Sequence, residues 1–445
     1  MEDKRLLELA QKPVGRLLWQ YSLPAVVGML VMALYNVVDR IFIGQWVGPD
    51  AIAGLAITFP IMNLATAIGV LVGVGATARI SIVLGEKNMR RAEEILGNAM
   101  TLTIVNAAVY IACFAIFMDP MLHLFGASDA TLPYAREYMM PLLPGLLLTN
   151  VAYGFNNVMR ASGYPRRAMY AMFIGAAVNT ILDPIFIYIF EWGIAGAAIA
   201  TDIAMAATAA YVMWHFKQPG VSLTFRRGTF VPRWHIVAAI ISIGAAPALV
   251  NAAGCIINAI VNNTLLQYGS DRDIGAAGIM LTYTNLLVTV VLGICQGLQP
   301  ILGYNYGAGL GHRLKKTLYL AIGAASVVTT VGALFGLFFP REVGMAFTTD
   351  SDLLDATQRA LSLCLMAFPF VGFQIISTTL FQSIGMAGKS ILISLLRQVL
   401  FLIPLLIFLP RALGLEGVWL SFPFSDLLAT IVTFLLVYYQ LRHLR

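Results

Sequence analysis

The strongest constraint on this chain is a row of apolar runs, each about as long as a bilayer is thick. A hydrocarbon core about 30 Å deep takes about 20 apolar residues per helix, and runs of that size recur from one end of the sequence to the other. Twelve are found, at approximately 14–43, 51–80, 95–118, 133–158, 168–190, 193–215, 236–266, 274–303, 317–339, 357–384, 390–409 and 416–440. Charged residues make up only 11% of the chain, against about 25% in a soluble domain, so almost nothing remains for a soluble part. The expected fold is therefore an all-α polytopic membrane protein with twelve transmembrane helices. Residues 1–13 read as a short amphipathic lead-in on the cytoplasmic membrane surface.

Orientation follows from the loops. Assigning them alternately to two sides puts twenty of the 28 Lys and Arg together, Lys87, Arg90, Arg91, Arg166 and Arg167 among them, and six on the other side. The positive-inside rule then makes both termini cytoplasmic. The net charge of +6 is a topology signal, and no nucleic-acid partner is expected, because a basic stripe for one would sit on a soluble domain.

The sequence also repeats itself. "SLPAVVGMLVMALYNVVDRIFIG" is echoed by "GAAPALVNAAGCIINAIVNNTLLQYG", with Pro24 opposite Pro247. "GATARISIVLGEKNMRRAEE" matches "GLQPILGYNYGAGLGHRLKK" at an offset of 222, pairing Gly75 with Gly297 and Gly85 with Gly307. Two pseudo-symmetric six-helix bundles result: an N-terminal lobe at 14–216, a cytoplasmic linker at 217–235 and a C-terminal lobe at 236–445. Membrane folds built this way are mostly secondary transporters, with sites at or between the repeats. No GxxxxGK[ST] phosphate loop and no TVGYG-like filter occurs, so an ion gradient is the expected energy source.

Four carboxylates fall inside the apolar runs: Asp39, Asp183, Asp202 and Asp426. Each costs about 3 kcal/mol near the bilayer centre and is a functional hypothesis by default. At 1.5 Å per residue, Asp39, Asp183, Thr201 and Asp202 all lie roughly 8 to 12 Å below the outer surface, so they can meet. Asn179 shares the face of Asp183 four residues on, and Pro184 leaves the carbonyl of Thr180 without its helical partner. Asp39, Asn179, Asp183 and Thr201 thus form an all-oxygen set that suits Na+, while two close carboxylates in a low dielectric suit a shared proton instead. Competing readings are a pair between Asp39 and Arg40, a simple kink at Asp183-Pro184, and interhelical glue for Asp202. Asp426 has no evident partner. Tyr35, Asn36, Asn150, Asn157 and Asp202 are candidates for a substrate cavity in which a few polar groups punctuate apolar walls.

"LP" followed by "YNVVDRIFIG", then "LGEKNMRRAEE", "MRASGYPRRAM", "NTILDPIFI" and "GIAGAAIATDIA", resemble the multidrug and toxic compound extrusion (MATE) transporters, most closely the bacterial DinF-like and MepA-like branch. The resemblance covers essentially the whole chain. It implies two lobes forming a V, and export of cationic or amphipathic drugs in exchange for Na+ or H+. It also carries the N-lobe ion-site pattern onto Asp39, Asn179, Asp183 and Thr201. The NorM-like branch uses acidic residues in helices 7 and 10; here those helices offer Asn251, Asn258, Asn262 and Gln374 instead. The expected protein is a monomer in the bacterial cytoplasmic (inner) membrane, with no cofactor beyond its coupling ion. A lipid-linked oligosaccharide flippase of the same superfamily is the alternative. An integral membrane enzyme would need a His or Ser constellation at one depth, and none is found.

Overall fold

Hydrocarbon cannot hydrogen-bond a backbone, so each apolar run must satisfy its own amides as a helix. The computed structural model describes residues 4–47, 49–128 and 131–443, and among these no strand occurs. The helices are α1 (Lys4–Gln11), α2 (Val14–Trp46), α3 (Pro49–Gly85), α4 (Met89–Leu124), α5 (Leu132–Ala161), α6 (Pro165–Pro184), α7 (Gly193–Lys217) and α8 (Trp234–Tyr268). They continue with α9 (Asp271–Gly307), α10 (Gly311–Phe338), α11 (Pro340–Met345), α12 (Ser351–Cys364), α13 (Val371–Ser383), α14 (Ala387–Leu395), α15 (Ile403–Leu413) and α16 (Leu415–His443). Two of the twelve expected spans are broken helices: a 3₁₀ turn at Leu365–Phe370 joins α12 to α13, and a π-helical turn at Leu396–Leu402 joins α14 to α15. A second π turn, Ile185–Ile189, extends α6 beyond Pro184.

Eleven of these spans are long and apolar enough to cross a membrane. The twelfth is α5, whose 30 residues are diluted by Arg136, Glu137, Asn150, Asn156, Asn157 and Arg160. Helix ends overrun the apolar runs because polar residues continue the helix past the hydrocarbon. Thus α4 starts at Met89 with the Asn88 side chain accepting from the Arg91 amide, an N-cap that the apolar run from 95 does not reveal.

The sequence repeat reappears in the backbone. Left-handed residues recur at Lys87 (φ 60°) and Gly309 (φ 69°), and at Gly163 (φ 97°) and Gly385 (φ 77°), each pair 222 residues apart. The same tight turns therefore connect equivalent helices in the two halves.

Between the halves, α2 crosses α9 and α3 crosses α8 and α9. The crossings are made by glycines that lie directly on opposing backbone: Gly75 on Ile240, Gly244 on Leu71, Gly85 on Tyr304 and Gly307 on Ile82, with Gly293 on Val26 and Gly297 on Ser22. All sit in the halves of these helices nearest the Lys- and Arg-rich loops, here termed the basic face. Hydrogen bonds follow on the same side: Ser22 Oγ donates to the Ile294 carbonyl at 3.4 Å and Gln299 Nε2 to the Val74 carbonyl at 3.4 Å. Towards the opposite face, α2 exposes Asn36 and α8 exposes Asn251, Asn258 and Asn262.

The lead-in helix spends its apolar face on the protein rather than on a membrane surface. Leu6 and Leu9 of α1 are buried in the main core, and Arg313 at the start of α10 donates from Nη2 to the carbonyls of Leu9 (3.2 Å) and Lys12 (2.6 Å). Of the four cysteines, Cys295 and Cys364 are buried, Cys113 is exposed on α4, and the Cys255 side chain lies outside the described residues.

The segment after α7 is strapped along α4. Buried Glu93 pairs with Arg226 Nε at 2.8 Å and accepts from Thr224 Oγ1 at 3.3 Å. Asn98 donates to the Thr229 carbonyl at 3.0 Å and accepts from the Arg233 amide at 2.7 Å. Replacing Glu93 by Ala removes the buried acceptor for two partners, worth about 1–3 kcal/mol. Trypsin should then cut after Arg226 and Arg227 roughly tenfold faster, by mass action on the detached strap; gel-resolved cleavage of purified protein checks this, and an unchanged rate would show that Asn98, Thr101 and the Arg233–Glu94 pair hold the strap without Glu93.

Candidate coupling and substrate site

Three helices of the N-terminal half bring polar oxygens to one level. Asp39 comes from α2, seven residues before its last residue, Trp46; Asn179 and Asp183 come from α6; Thr201 and Asp202 come from α7. Asp183 is fully buried, Asn179 is 1% and Asp39 8% exposed. α6 delivers both its residues because the i and i+4 positions share a face, and Pro184, with no amide hydrogen, passes the helix into the π turn directly after Asp183. Such turns are frequent at functional sites.

The cluster is held by one amide and one carboxyl contact. Asn179 Nδ2 donates both to Asp183 Oδ1 and to Thr201 Oγ1, each at 3.3 Å. The carboxyl groups of Asp39 and Asp183 lie against each other, and two carboxylates so close in a low dielectric favour uptake of a proton or a cation. Three buried acceptors are left over: Asp39 Oδ1, Asp183 Oδ2 and Asn179 Oδ1 have no donor. Buried acceptors without donors are costly, and this set is met equally by a proton or by a hard cation that takes only oxygen ligands. Arg40 acts on Asp39 only from a distance. Its guanidinium lies over the Phe59 ring at 5.5 Å, and no ion pair joins it to Asp39 among the described residues.

The other candidates divide by depth. Tyr35 is buried near Asp39, with the Tyr153 hydroxyl of α5 close by. Asp202 lies against the backbone of Gly145, where α5 has no side chain to keep it away. Asn36 is exposed and turns back to the Met32 carbonyl of its own helix at 2.8 Å. Asn150 and Asn157 are not at the level of the carboxylates: from Leu132 they lie about 27 and 37 Å along α5. Asn150 packs on Gly69, and Asn157 accepts from Arg160 Nη1 at 2.5 Å.

Comparison with known proteins bears on the whole chain. The sequence profile of the MatE family matches residues 24–185 and again 237–408, one copy per repeat. The chain belongs to the MATE transporter family. Among its relatives, the FAD transporter of Shewanella oneidensis is 27% identical over 435 residues, covering 96% of this chain and 95% of the relative. The multidrug export protein MepA of Staphylococcus aureus is 26% identical over 441 residues, covering 98% and 96%. Of solved structures, an outward-facing multidrug resistance MATE transporter superposes with a TM-score of 0.92 at 24% identity, covering 100% of this chain and 99% of that one. Twelve helices in two six-helix bundles are thus the MATE fold, and members of the family are transporters rather than enzymes.

Two tyrosines of α5 lie outside the sequence-based set. Tyr138, at the level of the MATE carboxylates, is 3% exposed and within electrostatic reach of Asp39, Asp183 and Asp202 together. Tyr153, about 31 Å along α5 from Leu132, is away from that level and lies near Tyr35. Both were signalled only by the rule that a phenol buried among apolar residues needs a partner. In the C-terminal half, Asp426 does have a partner, contrary to expectation. Arg397, carried on the π turn, places Nε 3.2 Å from its Oδ1.

Proposed function

We propose that this MATE transporter is a secondary active exporter that exchanges cationic or amphipathic small molecules for Na+ or H+ by alternating access. The observation that carries the reading is the juxtaposition of the buried Asp39 and Asp183 carboxyls, with Asp39 Oδ1, Asp183 Oδ2 and Asn179 Oδ1 left without donors. A carboxyl pair in that state is switchable. Loading with the coupling particle neutralises it, and releasing the particle restores a negative wall that attracts a cationic drug. The seam of glycines closes the basic face, whereas exposed Asn258 and Asn262 along α8 fit the wall of a water-filled cleft. With the basic face cytoplasmic by the positive-inside rule, the cleft opens outward in a bacterial cytoplasmic membrane, with both termini inside. The names of MepA, a multidrug export protein, and of the FAD transporter support small aromatic or amphipathic cargo. Tyr35, Tyr138, Asp202 and the adaptable Met29, Met32 and Met62 would line its path. The protein works as a monomer in the bilayer.

Flux through everted vesicles tests this, with ethidium and norfloxacin followed under imposed Na+ and H+ gradients in turn. One gradient should drive accumulation and the other should not, which also names the coupling particle. If neither gradient moved either compound while a lipid-linked sugar crossed the bilayer, the export reading would be lost.

A further inference from the structure

The C-terminal half carries charge that coupling in the N-terminal half leaves unused. Arg397 lies ten residues into the α14–α15 span, and Asp426 eleven into α16. Each is about 15 Å from its helix end, close to half the ~30 Å hydrocarbon thickness. A guanidinium at that depth needs either complete burial or water. Arg397 is not completely buried: its side chain is 30% exposed, whereas that of Asp426 is 9% exposed. The exposed part must therefore border the water-filled cleft and not lipid.

Its hydrogen-bonding capacity is largely unspent. A guanidinium has five N–H donors, and the contact made by this one is Nε to Asp426 Oδ1 at 3.2 Å, leaving the planar Nη1 and Nη2 edge open. The residues on either side offer more. Ser394 Oγ, one turn before it, is a buried hydroxyl with no partner among the described residues and is free to donate, while the unpartnered Gln398 Oε1 on the same turn can only accept. Local geometry pins this arrangement. The π turn at Leu396–Leu402 sets Arg397 off the regular helical register, and Ser425 Oγ donates to the Arg397 carbonyl, tying the turn to α16 next to Asp426.

We propose that Arg397 is an anion-recognition point in the cleft, which binds the carboxylate of zwitterionic substrates through its free Nη1 and Nη2 edge. Asp426 positions the guanidinium from behind through Nε, and Ser394 Oγ–H donates to the same carboxylate. A two-oxygen anion matches the guanidinium fork in a way that a cation or an apolar group does not. The two halves then present opposite charges to the cleft, carboxylates on the N-terminal side and a guanidinium on the C-terminal side. This deepens the export reading, on which it rests, by naming a second charge on the cargo.

Norfloxacin, with a carboxylate and an ammonium, is compared with its methyl ester, which keeps the ammonium and loses the carboxylate. Affinity is read by ligand fluorescence on full-length protein in nanodiscs, and transport in vesicles. Arg397→Gln should weaken norfloxacin binding by at least about tenfold, the loss of a charge-assisted bond, while ester binding and ethidium export stay within about twofold. Asp426→Asn should tighten norfloxacin relative to ester by freeing positive charge. Parallel changes for norfloxacin and ester in folded Arg397→Gln protein, or no change in either, would overturn the proposal. Should that variant fail to fold, the double variant Arg397→Leu/Asp426→Leu, which leaves no unpaired buried charge, carries the same comparison. The binding arm is independent of transport: wild type that bound norfloxacin over ester but exported neither would sink the export reading and leave the anion site standing.

Discussion

On the exchange mechanism proposed above, Asp39→Asn should abolish gradient-driven export and leave the protein folded. The amide is nearly the shape of the carboxylate, and the surrounding helices α2, α6 and α7 keep their packing. What changes is the chemistry of the contact with Asp183. In the wild type those two carboxyls face each other with oxygens that lack donors, so that a proton or a cation would relieve them. In the variant, the new carboxamide donates an N–H to Asp183 permanently, so that Asp183 is satisfied with neither proton nor cation bound. The pair no longer distinguishes a loaded from an empty state, and a ligand that does not distinguish two states cannot shift them. Accumulation against a gradient should fall by at least about tenfold, a loss of about 1.4 kcal/mol or more of coupling. Downhill exchange of labelled for unlabelled drug should persist, because the cleft is intact. Asp183→Asn is expected to behave alike. Arg40→Gln, which removes a guanidinium that lies on Phe59, should export normally. Full coupled transport in Asp39→Asn would demote Asp39 to a helix-end residue.

The depth of Asp39 is legible in the sequence, because a helix converts residue count into distance. Counting from the outer ends of three spans puts Asp39, Asp183 and Thr201 at one level, and the structure brings Asp183 into contact with Asp39 and links it to Thr201 through Asn179. The same arithmetic on α5 separates Asn150 and Asn157 from that level and selects Tyr138. Apolar length alone finds the spans, but their ends run on wherever polar residues such as Glu93 and Glu94 continue a helix beyond the hydrocarbon. The partner of Asp426 was not legible, because Arg397 reaches it from another helix through a π turn, and no spacing rule registers a single extra residue per turn. Asn156 and Asn157 were likewise ambiguous: both carbonyl oxygens serve Arg160, which is 1% exposed and has no carboxylate partner among the described residues. The glycines stand in the repeat as matched pairs, Gly75 with Gly297 and Gly85 with Gly307. Pairing within the sequence does not reveal that each lies on the backbone of the other half.

That arrangement carries the second large effect. Gly75→Ala and Gly244→Ala each place a methyl group where the backbone of the opposite half already sits, Ile240 in one case and Leu71 in the other. A flexible side chain could swing aside, but backbone in the middle of a helix cannot, so α3 and α8 must separate. Overpacking of this kind costs about 1–3 kcal/mol per site. The cost falls only on the state in which α3 and α8 cross at the basic face, since a state with that face open has no such contact. By linkage the population of the basic-face-open state should rise roughly 5- to 150-fold. The readout is Ser22→Cys in a background free of Cys113, Cys255, Cys295 and Cys364. Ser22 lies under Gly297 in the seam and is 8% exposed, so an impermeant maleimide added to everted vesicles should reach it only when the seam parts. Labelling should accelerate in Gly75→Ala and Gly244→Ala and stay at the parent rate in Gly254→Ala, where a new methyl group meets nothing within 4 Å. Equal labelling in all three would mean that the seam yields without opening. In that case the halves would change access by bending within each bundle and not by parting along α3 and α8, because those crossings are the close backbone contacts that a rocking motion must break.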